Sequence, residues 1–448
     1  MHIAIIGNGV SGITAARFIR KLSDHKITVI SSESNHFYSR TALMYIYMGH
    51  MRQKETKPYE DWFWEKNRID LLNAHVDKIN SKQKQLVLND GKTLSYDKLI
   101  IATGSKPNKF GWPGQDLPGV GGLYSLQDLG RMEEYSKGLK HAVIVGGGLI
   151  GIEMAEMFHS RHIPVTFLVR ENSFWNGVLP AEESAMINRH ILDNHIDLRL
   201  QTELKEIQAG ANGNAAAVMT NKEEKIDCGF VGLTAGVSPN IGFIKQDDAL
   251  GVETNRGILV NEYFETSVAD IYAIGDCAEQ RNPLPGRRGV EAIWYTGKMM
   301  GETLAYNICG KKIAYDPDIW FNSAKFFDIE YQVYGTVLAR APENHISIYW
   351  EHPDGKKSIR IVYDQKDNSI LGFNLMGVRY RHEVCEKWLR DNVSVEEVLQ
   401  NLSLANFDPE FYAEYEAEVL KIYNKQSGKN LSNKKKRSWN QAFAFLKS

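Results

Sequence analysis

Residues 2–12 read HIAIIGNGVSG, and this stretch decides the fold. It contains an apolar, branched run of strand length, a G-x-G-x-x-G turn and the start of a helical pattern. A second stretch, residues 142–151, reads AVIVGGGLIG and has the same order of features. One such turn is weak evidence, but two in this context, roughly 140 residues apart, predict two dinucleotide-binding sites on one chain.

The glycines of each turn have separate physical roles. The first allows the tight strand-to-helix turn, the second lets the backbone approach a pyrophosphate, and the third lets the helix pack on the sheet. These roles fall, in order, to Gly7, Gly9 and Gly12 and to Gly146, Gly148 and Gly151. The flanking predicted contacts are Val10, Ser11 and Ile150. The pyrophosphate is expected on the unpaired N–H groups at the helix start. For either turn alone, the alternative is a glycine-rich turn without a ligand.

Composition narrows the class of protein. The chain has 448 residues, 43% of them hydrophobic and 24% charged, with a net charge of −2, which predicts neither disorder nor nucleic-acid binding. The sequence contains no apolar run of about 20 residues, so no membrane span is predicted. No signal peptide is expected either. The four cysteines are widely spaced, which favours a reducing cytoplasm and no disulfide framework. No metal site is predicted.

The order of strand patterns indicates one fold used twice. After the first turn, strands are predicted at 26–30, in a hairpin around Asn89-Asp90-Gly91, and at 96–104. The stretch 110–122 is rich in glycine and proline and is interpreted as a crossover linker. The second copy continues with a strand at 165–169, and 230–240 echoes the strand and turn at 99–107. A further strand is predicted to end at 275–276, followed by a helical stretch from Val290 to Ile308.

These patterns predict an α/β protein with two Rossmann-like dinucleotide-binding domains, the second inserted into the first, plus a C-terminal α+β domain. The predicted boundaries are 1–107 with 241–314 for the first domain, 108–240 for the second and 315–424 for the third. Residues 425–448 form a basic tail with seven basic residues and no acidic one.

The segment 266–278, TSVADIYAIGDCA, completes a resemblance. Together with ITVISSE at 27–33 and YSRTAL at 38–43, it resembles the pyridine nucleotide-disulfide oxidoreductases. The closer resemblance is to the branch without a redox-active disulfide, which includes ferredoxin and rubredoxin reductases, the flavin module of NAD(P)H nitrite reductases and apoptosis-inducing factor. It implies FAD in the first domain, NAD(P)H in the second, and a third domain that covers the flavin or mediates dimerisation.

The resemblance also implies roles for residues around the flavin. Asp276 would accept hydrogen bonds from the ribityl chain, although a helix N-cap is an alternative role. Glu33 would bind the adenosine ribose, with a solvated loop carboxylate as the alternative. Arg40 would lie beside the FAD, with a surface salt bridge as the alternative. The remaining predicted backbone contacts to the two dinucleotides are Ala102, Thr103, Gly104, Gly236 and Gly275.

Three further residues would lie near the reacting rings. The resemblance places Glu153 in the nicotinamide–flavin gap, as the predicted catalytic residue on the first turn of its helix, where complementation of the helix dipole is the alternative. It also implies that Glu291 and Trp294 lie where the chain passes the flavin ring. For Trp294 a core position is nearly as plausible as a flavin contact.

The chain departs from the disulfide-reducing members of this superfamily. The stretch 37–51 contains no cysteine, so we expect no thiolate beside the flavin from that segment. Cys277 is the nearest candidate and is interpreted as a packing residue. Met44-Tyr45 stands where many ferredoxin-reductase relatives have a lysine, so a close match to those reductases is not expected.

Together these features predict an FAD-dependent NAD(P)H oxidoreductase that passes electrons to a redox protein, such as ferredoxin or rubredoxin, or to another acceptor. The alternatives are a type II NADH:quinone dehydrogenase and an NAD(P)H-responsive signalling flavoprotein like apoptosis-inducing factor. Arg170 follows Val169, which occupies the usual acidic position, and this slightly favours NADPH. Glu171 could restore a preference for NADH.

Two weaker patterns concern partners. The aromatic run at 320–327 predicts a homodimer contact, with an intrachain core as an equal alternative. In the tail, basic residues 434–437 precede Trp439, Phe443 and Leu446, which are spaced for one helix face. An acidic redox partner or an anionic membrane surface could bind there, and a solvated extension is the alternative.

Overall fold

A computed structural model describes residues 1–407 and 413–434. The described residues form two compact units. The first contains Met1–Gly146, Met157–Pro164 and Leu204–Pro317. The second contains Gly147–Glu156, Val165–Glu203 and the described residues from Asp318 onward.

The strands, in chain order, are β1 (His2–Ile6), β2 (Lys26–Ser31), β3 (Ile69–Asn73), β4 (Val76–Asn80), β5 (Gln85–Leu88), β6 (Thr93–Ser95), β7 (Lys98–Ile101), β8 (Ser105–Pro107), β9 (Val120–Gly121), β10 (Ala142–Val145), β11 (Val165–Val169), β12 (Asp197–Leu200), β13 (Leu204–Ala209), β14 (Ala215–Thr220), β15 (Lys225–Asp227), β16 (Phe230–Leu233), β17 (Val237–Pro239), β18 (Ile258–Val260), β19 (Ile271–Ala273), β20 (Ala278–Gln280), β21 (Phe321–Phe326), β22 (Ile329–Gly335), β23 (His345–Glu351), β24 (Ser358–Asp364) and β25 (Ile370–Met376). The α-helices are α1 (Val10–Leu22), α2 (Leu43–Tyr47), α3 (Trp62–Lys66), α4 (Leu126–Tyr135), α5 (Leu149–Ser160), α6 (Ala181–Asp193), α7 (Gly242–Lys245), α8 (Trp294–Ile308), α9 (His382–Arg390), α10 (Val395–Gln400) and α11 (Glu416–Ser427).

The first unit is built around a parallel sheet in the order β19-β7-β1-β2-β3. In register, Ile5 of β1 lies opposite Val29 of β2 on one side and Ile100 of β7 on the other. These residues are at most 1% exposed, because both faces of a parallel sheet are covered and its strands are near-continuous apolar runs. The strands predicted from these runs are confirmed.

The neighbours β7 and β19 show that one copy of the fold is inserted into the other. They pair in parallel, with Ala273 opposite Ile101, although residues 102–270 separate them in sequence. Within the inserted stretch, β10, β16 and β9 form a second parallel arrangement in the first unit, and β11 and β12 form a parallel pair in the second unit. The predicted fold class is confirmed.

The second unit contains an antiparallel sheet in the order β21-β22-β25-β24-β23. Its core includes Phe373 of β25 and Trp388 of α9, which are both fully buried. A buried ion pair fixes α6 to this sheet, because Arg360 Nε of β24 lies 2.7 Å from Glu183 Oε1. Such an antiparallel sheet covered by helices is the predicted α+β arrangement.

The aromatic run at 320–327 contributes to the core of the second unit. The Phe326 ring lies 5.9 Å from those of Phe174 and Trp175, and Phe326 is fully buried. Phe327 is 6% exposed. These contacts support the intrachain alternative for this half of the run, while the homodimer stays a prediction.

The helix predicted from Val290 begins instead at Trp294. Residues 289–293 are held in a non-helical path, because Gln280 N donates to Gly289 O at 2.8 Å and Thr296 Oγ1 donates to Glu291 O at 3.2 Å. The predicted start was wrong by four residues, because Gly289 O is bonded to Gln280 of β20 and Glu291 O to Thr296 of α8.

Two further sequence predictions concern a membrane-spanning helix and the C-terminal tail. Within residues 1–407 and 413–434, no helix combines the length and apolarity that crossing a bilayer requires. The aromatic helix face predicted at 439–446 lies outside the described residues.

Candidate functional site

One edge of the first unit's sheet gathers the predicted flavin residues. The parallel strands β19, β7, β1 and β2 all end at this edge, and each is followed by a predicted contact. These contacts are Gly275 and Asp276 after β19, Ala102 to Gly104 after β7, Gly7 to Gly12 after β1, and Glu33 after β2. Ligands of open α/β sheets bind at this carboxyl edge.

The first glycine turn has the shape that a pyrophosphate requires. Gly7 has a φ of +113°, and a Cβ there would overlap the Ala102 carbonyl oxygen. A Cβ on Gly12 would overlap the Gly7 carbonyl oxygen, so the turn is closed on the side of the sheet. By contrast, a Cβ on Gly9 would meet no atom within 4 Å. Gly9 is also the N-cap of α1, so open space lies at the unpaired N–H groups of this helix.

Ser11 lies behind this turn. A Cβ on Gly275 would overlap Ser11 Oγ, and one on Gly297 of α8 would lie 2.7 Å from it. Its side chain therefore packs against Gly275 and α8. The role of Ser11 in cofactor binding stays a prediction.

Glu33 and Arg40, predicted as separate flavin contacts, are bound to each other. Arg40 Nη1 donates to Glu33 Oε1 at 3.0 Å and Arg40 Nη2 donates to Oε2 at 2.7 Å. Oε1 also accepts from the Tyr38 hydroxyl and from Leu126 N. Glu33 is thus a fixed, charge-compensated carboxylate, with Oε2 the less occupied oxygen for a ribose hydroxyl.

Asp276 is held at the same edge by Ser105, whose Oγ donates to Asp276 Oδ2 at 2.8 Å. Asp276 lies within the short 3₁₀ turn Gly275–Cys277, whose N-cap is Ile274, so the alternative role as N-cap is not supported. Burial raises the pKa of Asp276, while the Ser105 hydrogen bond and Arg40 lower it. When ionised, its carboxylate can accept hydrogen bonds from hydroxyl groups.

Glu291 and Trp294 lie at the start of α8. Glu291 forms a two-point ion pair with Arg287, with Nε–Oε1 at 2.7 Å and Nη2–Oε2 at 2.8 Å, and the side chain of Glu291 is only 6% exposed. Trp294 stacks on Phe37 at 5.9 Å and packs partly against the core. The contacts of both side chains are therefore structural ones within the first unit.

The Cys277 thiol is fully buried. Its Sγ lies 3.4 Å from Ile101 O and 3.3 Å from Ile274 O. Burial raises the pKa of Cys277 to about 11, which keeps it a thiol at neutral pH. Among the described residues no His, Cys, Asp or Glu cluster could hold a metal ion.

We expect a variant in which all four cysteines are replaced by Ala or Ser to keep NAD(P)H-to-dye electron transfer within about twofold of the wild-type rate. Burial raises the pKa of all four cysteines, which keeps them as thiols that are poor nucleophiles. Stability should fall by about 1–2 kcal/mol from the loss of packing. Steady-state dye reduction by the FAD-loaded proteins measures this. A Cys277→Ala protein that folds and keeps FAD but does not turn over would contradict it.

In the first unit, Gly146 repeats the geometry of Gly7. Its φ is +119°, and a Cβ there would lie 2.7 Å from the Thr234 carbonyl oxygen. Thr234 Oγ1 donates to Val145 O at 2.9 Å. Gly236, predicted near the nicotinamide nucleotide, has a φ of +83°, and its carbonyl accepts from Asn108 N at 3.1 Å.

The second unit holds the rest of this turn and the start of α5. A Cβ on Gly147 would lie 2.7 Å from Val169 Cγ1, whereas one on Gly148 would meet no atom within 4 Å. Ile150 and Gly151 lie in the first turn of α5. Gly148 therefore has the open position that Gly9 has in the first turn.

Arg170 follows β11 in the second unit and is exposed. Its Nε and Nη2 donate to Glu171 Oε1 at 3.2 and 2.9 Å. The side chains of Arg170 and Glu171 are 71% and 36% exposed, so this ion pair is weak and a ligand anion can replace it.

Glu153 is the fifth residue of α5, and the first turn of this helix contains no acidic residue. The predicted position in the first turn was wrong, because α5 begins at Leu149, so complementation of the helix dipole is a weak explanation. Burial, and then the charge of Glu156 one turn further on, raise the pKa of Glu153 to about 7. A carboxyl group that titrates near neutral pH can hold or release a proton under working conditions.

This pKa predicts a pH-dependent stability. The pKa of Glu153 in the folded protein lies above the unfolded value of about 4.5. The favourable contribution of Glu153 to the free energy of unfolding is therefore complete below pH 4.5 and is lost as the pH rises to about 7. The Glu153→Gln variant lacks this loss and should be more stable than the wild type above pH 7 by up to about 3 kcal/mol. Denaturant unfolding at pH 5 and pH 8 measures the difference, and an equal effect at both pH values would contradict it.

Comparison with known proteins agrees with these features. The model of the family described as pyridine nucleotide-disulphide oxidoreductase matches residues 1–301. The assimilatory nitrate reductase electron transfer subunit of Bacillus subtilis (strain 168) is 28% identical over 313 residues, 69% of this chain and 39% of that protein. The NADH-rubredoxin oxidoreductase of Clostridium acetobutylicum is 27% identical over 404 residues, 89% of this chain and 99% of that protein.

Among solved structures, an NAD-dependent persulfide reductase from A. fulgidus has a TM-score of 0.84 at 23% identity, covering 96% of this chain and 84% of that chain. This likeness supports the fold. The present chain spans less than half the length of the first curated relatives it matches.

Proposed function

We propose, from the premise that this chain belongs to the pyridine nucleotide-disulphide oxidoreductase family, that it carries electrons from NAD(P)H to a small redox protein such as rubredoxin or ferredoxin. The chain is an NAD(P)H-dependent flavoprotein oxidoreductase with FAD and NAD(P)H as its cofactor and reductant. When bound, FAD supplies the chemistry that takes up a hydride and releases its two electrons one at a time.

One observation carries this proposal: the carboxyl edge of β19, β7, β1 and β2 presents an open glycine turn and a held carboxylate together. Gly9 faces open space, and Ser105 fixes Asp276. These are the donors and acceptors that a pyrophosphate and a ribityl chain need. The segment 37–51 contains no cysteine, so electrons leave without a protein thiol.

The same proposal assigns roles to the parts of the chain. Residues 1–107 with 241–314 hold FAD, 108–240 hold NAD(P)H, and 315–424 form or complete a homodimer. In the second of these, Glu153 holds a proton near the nicotinamide. Light scattering of the full chain tests the homodimer role of residues 315–424, since a monomer mass would exclude the homodimer.

The acceptor is tested by stopped-flow reoxidation of the protein after anaerobic reduction with NAD(P)H. The panel contains rubredoxin, ferredoxin, a short-chain quinone and dioxygen. We expect reoxidation by at least one iron–sulfur or rubredoxin partner to be more than about tenfold faster than by quinone or dioxygen. A faster reaction with quinone would support the dehydrogenase alternative, and a long-lived charge-transfer species with all acceptors would support a signalling role.

Arg170 is proposed to bind the 2′-phosphate of NADPH. A guanidinium released from Glu171 can bind a phosphate through two N–H groups. We expect Arg170→Ala to raise the KM for NADPH by about tenfold or more and that for NADH by less than about twofold. Steady-state kinetics with both nucleotides measure this, and Arg199→Ala, at another exposed arginine of the second unit, is the control. Equal effects on both nucleotides would refute this role.

A further inference from the structure

Tyr124 is a residue of the first unit that belongs to none of the sequence motifs. It precedes Ser125, the N-cap of α4. We propose that Tyr124 is a positioning residue of the FAD site, which holds Ser105 through its hydroxyl group and Arg40 through its ring and carbonyl oxygen. This inference rests on the proposed function only in taking the carboxyl edge of the sheet as the flavin site.

The hydroxyl group of Tyr124 holds one side of the edge. Ser105 N donates to Tyr124 Oη at 2.8 Å, and Ser105 Oγ donates to Asp276 Oδ2 at 2.8 Å. Ser105 is 4% exposed and is thus fixed between the phenol and the carboxylate. Gly104 makes this approach possible, because it has a φ of +68° and a Cβ there would lie 2.8 Å from Tyr124 Oη.

The ring and carbonyl oxygen of Tyr124 hold the other side. The Arg40 guanidinium carbon lies 4.4 Å from the ring centroid of Tyr124 and 5.4 Å from that of Tyr38. Arg40 Nη1 also donates to the Tyr124 carbonyl oxygen. A guanidinium between two aromatic faces and paired with Glu33 has little freedom to turn.

The backbone around Tyr124 is itself fixed. Tyr124 N and Ser125 N donate to Asp128 Oδ2 at 3.0 and 2.8 Å, and Leu126 N donates to Glu33 Oε1 at 3.3 Å. Burial and the charge of Asp276 raise the pKa of Tyr124, so its hydroxyl stays neutral. Through Arg40 and Ser105, Tyr124 is therefore linked to residues that follow three strands of the sheet: Glu33 after β2, Ser105 after β7 and Asp276 after β19.

This arrangement makes a graded prediction for FAD binding. Tyr124→Phe keeps the ring beside Arg40 but removes the acceptor of Ser105 N, and should weaken FAD binding by about two- to tenfold. Tyr124→Leu removes the ring as well and should weaken it by about thirtyfold or more. Tyr124→Phe should therefore retain most of the FAD affinity that Tyr124→Leu loses. Tyr135→Phe, at the end of the helix α4 that follows Tyr124 and near Phe230, is the matched control and should leave FAD binding unchanged.

The test uses the full chain loaded with FAD, and follows FAD release on dilution by flavin fluorescence. Denaturant unfolding of the FAD-free proteins gives their stability. Because Tyr124→Phe and Asp276→Asn act through the same Ser105, their effects on the FAD dissociation constant should be less than additive. Removing the acceptor of the buried Ser105 N should also lower the stability of FAD-free Tyr124→Phe. The proposal holds if Tyr124→Phe still folds without FAD, FAD affinity falls in the predicted order, and its effect is less than additive with that of Asp276→Asn.

Three outcomes overturn it: unchanged FAD affinity in both Tyr124 variants, an equal loss of FAD affinity in Tyr135→Phe, or additive effects with Asp276→Asn. These outcomes leave the oxidoreductase function intact, since the wild-type protein still binds FAD. A wild-type protein that takes up no FAD would instead refute the flavin site itself.

Discussion

Gly9→Val should yield a folded protein that does not retain FAD, with affinity reduced at least about a hundredfold, equivalent to about 3 kcal/mol. The backbone at Gly9 has φ −71° and ψ −178°, which a β-branched residue adopts without strain. A Cβ there meets no protein atom within 4 Å, so the side chain enters open space at the start of α1. That space is where a pyrophosphate would lie against the helix N–H groups.

Gly7→Val supplies the contrast, because it should damage the fold as well as the site. At φ +113° and with a Cβ overlapping the Ala102 carbonyl oxygen, this position cannot take a side chain without moving β7. Flavin absorbance after gel filtration measures retention, and circular dichroism measures folding. Gly9→Val protein that keeps its flavin would refute the predicted pyrophosphate position, whereas an unfolded protein would refute the geometry of the turn.

Gly148→Val should separate the two dinucleotide sites. Its side chain also enters open space, at the start of α5, so FAD should be retained at the wild-type level. Binding of NAD(P)H should fall at least about a hundredfold, and flavin reduction at ordinary NAD(P)H concentrations should be lost. The variant should therefore be yellow, and dithionite but not NAD(P)H should reduce it.

The control for Gly148→Val is the chemically reduced protein. Its reoxidation by the preferred acceptor should match that of the wild type, because the substitution does not alter the flavin site. Loss of FAD from Gly148→Val, or NAD(P)H reduction at the wild-type rate, would contradict the assignment of the second turn to the nicotinamide nucleotide.

Most of the fold could be predicted from local sequence because its central strands are local patterns. The apolar runs ending at Ile6, Ile101 and Val169 are buried strands, and a glycine with positive φ follows Ile6 at Gly7. The start of α8 was misplaced because Gln280 and Thr296 hold the preceding segment, and neither contact is encoded in the helical composition of 290–308.

The candidate site was predictable residue by residue but not as a network. Glu33 and Arg40 follow motifs, yet their two-point ion pair is a matter of three-dimensional placement. Tyr124 and Ser105 were missed because no motif contains them. Tyr124 lies 84 residues from Arg40 in the chain, and Ser105 lies 171 residues from Asp276. These contacts form because strands distant in sequence end at one edge of the parallel sheet.

The central claim is that this chain binds FAD at one glycine turn and receives electrons from NAD(P)H at the other. Anaerobic titration of the purified protein with NADPH or NADH, followed by visible flavin absorbance, tests this claim most directly. We expect a yellow protein with one FAD per chain, fully bleached by a single equivalent of nicotinamide nucleotide. A colourless protein that cannot be reconstituted with FAD, or a bound flavin that both nucleotides leave oxidised, would contradict it.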